Sequence, residues 1–389
     1  MGVLPAIPFD TFLWKISSAC NLNCSYCYVY NAADSRWKQQ PGFMSEAIAR
    51  QAASRIREHL RAHNKTSARI NFHGGEPLLG GARHLDMLSS VINEELVSEG
   101  IEIAIGIQSN GLLFTPEIGD LMLEKGLVMG ISVDGPPHVN DRHRVDHRGR
   151  PSSARLEEAL KLLLTAKYST LLTGFLCVMD ITTDPREVTS YLCGYRPRID
   201  FLFPLNNHVN PPAGKQHDPS ATPYGDWLVD AFDYWFDHVK DGKIRFFTSL
   251  MSQMLGGGSE VESMGIRPVG LIVVETDGAI EAVDTLKSTF EGATVLGFNV
   301  FDHDFNTVAL HPAVQSRQQG VAGLCETCQR CPIVEICGGG YLPHRYAANG
   351  FDNPSVYCGD LQRIIKHIAV RLSEELDQQL ARLPLPALS

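Results

Sequence analysis

The chain is 389 residues long, 44% hydrophobic and 20% charged, with a formal net charge of -10. That is enough apolar sequence for a large core and too ordinary a composition for long disorder, while the acidic balance excludes broad attraction to nucleic acid or anionic membranes. No segment reaches the roughly 18 apolar residues of a membrane span, and the start MGVLPAIPFD lacks the regions of an export signal, so a cytoplasmic protein is expected.

The length suits a barrel-type α/β domain of about 200 to 250 residues with a smaller appendage. β-rich runs at 11–17, 68–74, 101–109, 127–134, 170–179 and 198–204 predict six strands. Between them, Ser45 reads as the N-cap of a helix with Ile48, Ala52, Ile56 and Leu60 on one stripe. Further helices fit near 83–97, 116–125, 152–166 and 184–193. Alternating strands and helices imply a parallel sheet, which right-handed crossovers curl into a partial (β/α)6 TIM-like barrel with active residues at the strand C-terminal ends. The stretch 206–223, rich in Pro, Asn and His, reads as a loop, with Asn206 and His208 as candidate substrate contacts, and a helix follows at 224–240. After the glycines at 256–258 come short strands and turns, then cysteines, then a helix over 359–382. The expected division is a barrel over 1–235, a bridging region over 236–265 and a cysteine-rich unit over 266–389.

Ten cysteines without an export signal read as thiolate ligands or redox groups, since the cytosol keeps thiols reduced. Cys20, Cys24 and Cys27 have the spacing CxxxCxxC directly after the first strand. Three thiolates from one loop leave the fourth iron of a cluster open. This motif, with Tyr26 before its last cysteine, resembles the radical S-adenosylmethionine (SAM) superfamily. The resemblance implies a [4Fe-4S] cluster whose open iron chelates SAM, which is cleaved after reduction to a radical that abstracts hydrogen from substrate. Gly74, Gly75 and Glu76 end the second strand and resemble the family's motif for the SAM amino group, two glycines allowing close backbone approach and a carboxylate suiting an ammonium. QSNGLL and SVDGPPHVNDRHR end the third and fourth strands, and by the same resemblance Gln108, Asn110, Ser132 and Arg144 contact SAM. The plain alternatives are a zinc site completed by His73 and ordinary turn chemistry at NG and DGPP.

The second group comprises Cys325, Cys328, Cys331, Cys337 and Cys358, and resembles the SPASM extension, which holds auxiliary iron-sulfur clusters in peptide maturases. Its pattern is met at Cys328, Cys331, Cys337 and Cys358, but Tyr341 and Val283 stand where it has further cysteines. That implies one auxiliary cluster, hence two [4Fe-4S] clusters in total. Cys325 makes five thiols for four positions, and since Cys325, Cys328 and Cys331 also reproduce a ferredoxin run, which of the five is spare stays open, with Cys328, Cys331, Cys337 and Cys358 the favoured set and a zinc knuckle the alternative. Asp284 stands where sulfatase-maturing relatives carry an aspartate that takes a proton, the alternative being a solvated loop acid. Cys177 and Cys193 read as buried structural residues.

The segments beyond 266 look like those of the cyclophane-forming radical SAM/SPASM maturases, which join a side-chain β-carbon to an aromatic ring of a ribosomal precursor peptide. The resemblance implies a precursor peptide and a flavodoxin- or ferredoxin-type electron donor as partners, with no nucleic acid and no membrane. A first strand near residue 11 leaves no room before it for the leader-binding winged helix of many maturases. A sulfatase-maturing-type oxidase and a non-catalytic iron-sulfur scaffold are the rival readings.

Overall fold

The computed structural model describes residues 7–195 and 198–382, so the first six residues of the stretch read for an export signal lie outside it. β1 (Thr11–Ser17), β2 (Ser67–Gly74), β3 (Glu102–Ser109), β4 (Val128–Ser132), β5 (Leu172–Val178) and β6 (Arg198–Leu202) lie side by side in chain order, all parallel. This is the partial barrel expected from the alternation. The connecting helices are Glu46–Ala62, Gly81–Glu95, Pro116–Lys125, Ser153–Leu163 and Pro185–Gly194. The Ser45 hydroxyl accepts from the Ile48 amide at 3.3 Å, satisfying one of the orphan donors of the first turn. Ala52, Ile56 and Leu60 are fully buried, and Ile48 is only half-buried because Ala49 takes the inner position.

The sheet does not stop at the barrel. β7 (Lys243–Ile244) extends the β6 edge, and at the other edge β8 (Leu271–Val274) pairs in parallel with β1, from Thr11↔Leu271 to Trp14↔Val274. β9 (Ala279–Glu281) and β10 (Val295–Asn299) follow antiparallel, giving the order β10-β9-β8-β1-β2-β3-β4-β5-β6-β7. The sequence boundary at 266 is therefore crossed by a continuous sheet. The cause is legible in composition: Leu-Ile-Val-Val is covered on both faces, and β1, flanked by two strands, is buried from Phe12 to Ser17.

A buried charge cluster fastens the C-terminal extension to the loop after the first cysteines. Lys287 pairs with Glu275 and, at 3.6 Å, with Glu281, which also takes Arg36 at 2.8 Å. The bridging region contains a helix, Arg245–Met254, that the sequence did not announce, and Arg245 pairs with Asp200 on β6. The terminal helix Cys358–Arg382 lies along helix Pro223–His238, held by Arg363–Asp226 at 3.0 Å and His367–Asp233 at 2.8 Å. Lys215, in the loop expected to be polar and exposed, is buried against Asp360 of that helix at 2.8 Å. Among the described residues no helix is long and apolar enough to cross a membrane.

Candidate active site

Cys20, Cys24 and Cys27 face a cavity of about 410 Å³ at the C-terminal ends of the barrel strands. The loop is fixed by its own backbone, the Cys27 amide donating to Cys24 O at 2.9 Å, and by neighbours, with Asn31 Nδ2 on Cys24 O at 2.9 Å and the Asn23 amide on Val145 O at 2.8 Å. Gly74 and Gly75 serve this loop. A Cβ on Gly74, whose φ is +154°, would meet Ser17 O at 2.1 Å, and one on Gly75 would meet the Tyr30 hydroxyl at 1.9 Å and Ala19 O at 2.0 Å. The Gly75 and Glu76 amides then reach Ser17 O and Ala19 O, each at 2.8 Å. Both glycines line the cavity, and the close approach the structure shows them permitting is to the segment that leads into the cysteine loop.

Glu76, Gln108, Asn110, Ser132, Arg144 and Tyr26 line the same cavity. The Glu76 carboxylate, fully buried, accepts from the Leu78 amide at 2.9 Å, the Ser109 hydroxyl at 2.7 Å and the Asn110 amide at 2.8 Å. Burial nonetheless leaves its carboxyl above the ordinary range, so a cation beside it would be welcome. Asn110 Nδ2 holds Asn21 Oδ1 at 2.7 Å, bracing the cysteine loop, and Gln108 Nε2 donates to the Ser132 hydroxyl at 3.0 Å. Arg144 Nη1 donates to the Tyr26 hydroxyl at 2.8 Å, which donates to Asp134 Oδ2 at 2.5 Å. Tyr26 thus acts on Arg144, holding the guanidinium over the cavity near Cys24.

The opposite wall carries Asp284, which is buried and not a solvated loop acid. Its Oδ2 takes Lys15 of β1, the Tyr28 hydroxyl at 2.6 Å, and lies 3.8 Å from His73 Nδ1. Burial alone would raise this carboxyl, but the Lys15 ammonium and His73 outweigh it and hold it well below the usual range. His73, by contrast, is driven down to about 4 by burial and by Lys15, so it is neutral at neutral pH. His73 is therefore engaged with Lys15 and Asp284. Lys15 and Tyr28 were not singled out from sequence; a lysine inside an otherwise apolar central strand was the available signal. The wall also includes Leu176, Val178, Phe201, Phe203 and Leu205, the charged Asp200, Arg245 and Glu262, and Thr285, hydrogen-bonded to Tyr341 at 2.7 Å.

A groove of about 650 Å³ adjoins the cavity, sharing Tyr26, Tyr28, Val178, Pro204 and Leu205 with it and opening past Asn206, Val209 and Asn210. Asn206 lines this groove. His208 lines neither space; its ring is bonded to Pro354 O at 2.9 Å.

At the far end of the C-terminal extension, Cys328, Cys331, Cys337 and Cys358 line a second small cavity of about 50 Å³, and Cys325 lies outside it against Cys328. Cys177 and Cys193 are buried apart from both groups. Among the described residues no three Cys, His, Asp or Glu side chains converge on one ion position.

The fit of these residues to iron can be tested on their own chemistry. Burial pushes the Cys20 thiol up to about 12 and raises Cys24 and Cys27, while Cys337 is pushed to about 11 and Cys328 to about 12. Burial raises Cys177 and Cys193 in the same way, so the fit lies in the grouping: three thiols of one short loop face one cavity and four line the other, donor sets of the size an iron-sulfur cluster takes.

Residues 14–189 match the model of the radical SAM superfamily, and this chain carries a radical SAM domain over that span. Such a domain implies a [4Fe-4S] cluster and SAM. Over most of its length the chain is similar to the cysteine-type anaerobic sulfatase-maturating enzyme of Clostridium perfringens, with 24% identity over 94% of this chain and 97% of the relative. It is also similar to the serine-type anaerobic sulfatase-maturating enzyme of Bacteroides thetaiotaomicron, with 22% identity over 94% and 90%. An uncharacterized protein of Methanothermobacter thermautotrophicus is 30% identical over 59% of this chain and 80% of its own. In fold, the chain matches native anSMEcpe with bound AdoMet at a TM-score of 0.79 and 22% identity, covering 94% of this chain and 99% of that one.

Proposed function

We propose that this protein is a peptide-modifying radical SAM enzyme that joins a side-chain β-carbon to an aromatic ring within a polypeptide. The observation that carries this reading is the cavity in which Cys20, Cys24 and Cys27 face Asp284, its wall in part aromatic and aliphatic, next to a groove of about 650 Å³ that shares five of its lining residues. In the proposal Cys20, Cys24 and Cys27 hold the SAM-binding cluster; Glu76, Gln108, Asn110 and Ser132 line the cofactor's bed beside Gly74 and Gly75; and Arg144, aimed by Tyr26, takes its carboxylate. Bound there, the cofactor supplies a radical that removes a hydrogen atom from the substrate. Cys328, Cys331, Cys337 and Cys358 hold one auxiliary cluster, with Cys325 the spare thiol, and the extension over 266–389 is its housing.

The substrate carbon radical would add to the ring, and the adduct would regain aromaticity by losing one electron, which the auxiliary cluster held by Cys328, Cys331, Cys337 and Cys358 would accept, and one proton, which Asp284 would receive. A carboxylate so depressed by Lys15 is a weak base, and it suits a proton that oxidation of the substrate has already made strongly acidic. Leu176, Val178, Phe201 and Phe203 keep water from the radical and stack with an aromatic side chain. Electrons come from a flavodoxin- or ferredoxin-type donor, and the compartment is the cytoplasm.

Oxidation of a Cys or Ser side chain is the second reading, favoured by the similarity to sulfatase-maturating enzymes across most of the chain. Anaerobically reconstituted enzyme should be incubated with SAM, a reductant and either precursor peptides carrying aromatic residues or sulfatase-derived Cys and Ser peptides. A crosslink appears as loss of two hydrogens in a product that ignores carbonyl reagents and resists fragmentation between the joined residues. A carbonyl-reactive product would establish the second reading, and absence of 5'-deoxyadenosine would leave only a scaffold.

A further inference from the structure

The glycines Gly338, Gly339 and Gly340 follow Cys337 directly and have φ values of +63°, +73° and +70°. Three successive left-handed residues are open only to glycine, and a Cβ on Gly338 would strike Gly265 O at 1.9 Å. Their three carbonyls converge on one side chain. Arg345 donates through Nη2 to Gly338 O at 2.7 Å and Gly340 O at 2.6 Å, and through Nε to Gly339 O at 3.0 Å.

Holding the carbonyls in this way fixes the turn directly after Cys337, while Gln362 Nε2 donates to Cys358 Sγ at 3.4 Å. Among the described residues Arg345 has no carboxylate partner. Burial works against its charge, and the groups working in its favour are Cys328, Cys337 and Cys325. A half-buried guanidinium without a counter-charge, forked onto the turn directly after Cys337, calls for an anion beside it, and a cluster carried by thiolates is one.

We propose that Arg345 is a positioning residue that sets the reduction potential of the C-terminal cluster: its charge offsets the cluster's negative charge, and its fork fixes the turn that presents Cys337. The inference rests on the reading above that Cys328, Cys331, Cys337 and Cys358 hold iron. Charge and hydrogen bonds to sulfur both favour the reduced, more negative state of such a cluster.

The test uses the full-length chain with Cys20, Cys24 and Cys27 changed to Ala, so that any remaining iron and its electron paramagnetic resonance signal belong to the C-terminal site. Arg345→Gln is expected to keep the iron and shift the reduction equilibrium at least tenfold toward the oxidised form, a fall of about 59 mV for a one-electron couple. Arg345→Lys, which keeps the charge but not the fork, should move the midpoint by much less while releasing iron to a chelator faster. Iron retained with an unmoved midpoint in Arg345→Gln overturns the proposal, as does a shift in Arg345→Lys as large as in Arg345→Gln. Should Arg345→Gln fail to assemble, unchanged iron release in Arg345→Lys overturns it instead. A background protein without iron, or with zinc in its place, removes the cluster reading itself and the proposal with it.

Discussion

Replacing Lys15 with Met removes the ammonium from a buried pair whose side chains are only 3% and 7% exposed. The Asp284 carboxylate then stays in the same low-dielectric wall with only the Tyr28 hydroxyl, 2.6 Å away, and a neutral His73 beside it. Breaking a buried pair by deleting one partner costs about 3–5 kcal/mol, and because Tyr28 still donates, a loss near 3 kcal/mol is expected at neutral pH. The sign with pH follows from the carboxyl itself. In the native protein its depressed pKa contributes stability that is present above the ordinary carboxylate range and lost as pH falls through the folded value. Without Lys15, burial dominates and raises the carboxyl, so the Lys15→Met protein should regain stability on acidification where the native protein does not. Chemical denaturation of Lys15→Met, Asp284→Asn and the double variant, at neutral pH and at about pH 5, measures this. The double variant should recover most of the loss, since no uncompensated charge is left. Additive single effects, or a Lys15→Met protein within about 1 kcal/mol of the native one, would refute the reasoning.

Other consequences can be checked separately. Gly75→Ala forces a Cβ against the Tyr30 hydroxyl and Ala19 O, so the cysteine loop must shift, and iron at Cys20, Cys24 and Cys27 should fall sharply while iron in the C-terminal site persists. His59 is fully buried, accepts from the Phe9 amide at 2.9 Å, and is pushed by burial down to about 4. Its neutral form is favoured by the fold, so stability should drop by roughly 3 kcal/mol as pH falls from about 6.5 to about 4, and His59→Gln should flatten that stretch of the denaturation profile. Lys215→Met leaves Asp360 buried with only the Tyr224 and Gly225 amides, each at 2.9 Å, and should cost about 3–5 kcal/mol with faster proteolysis in the 206–222 loop.

The partial barrel and its first cysteine loop were readable because both are local. Strand and helix periods repeat along the chain, Ser45 marks a helix start, and Cys20, Cys24 and Cys27 sit within one loop whose spacing is itself the chemistry. Glu76, Gln108, Asn110, Ser132 and Arg144 could be nominated because they lie in segments that resemble a family's motifs and follow the second, third and fourth strands, and the barrel brings strand ends together. What no local pattern contains is the partner across the fold. Lys15 and Asp284 are 269 positions apart, Lys215 and Asp360 are 145, and in each case a charged residue is buried only because another arrives from a distant element. The pairing of β8 with β1 is likewise a tertiary decision, since an apolar strand records that it will be covered and not by what. The sequence by itself determined the thiols and the frame that presents them. Tertiary structure decided which charges stand opposite them, because burying an ion is tolerable only once its counter-ion is in place.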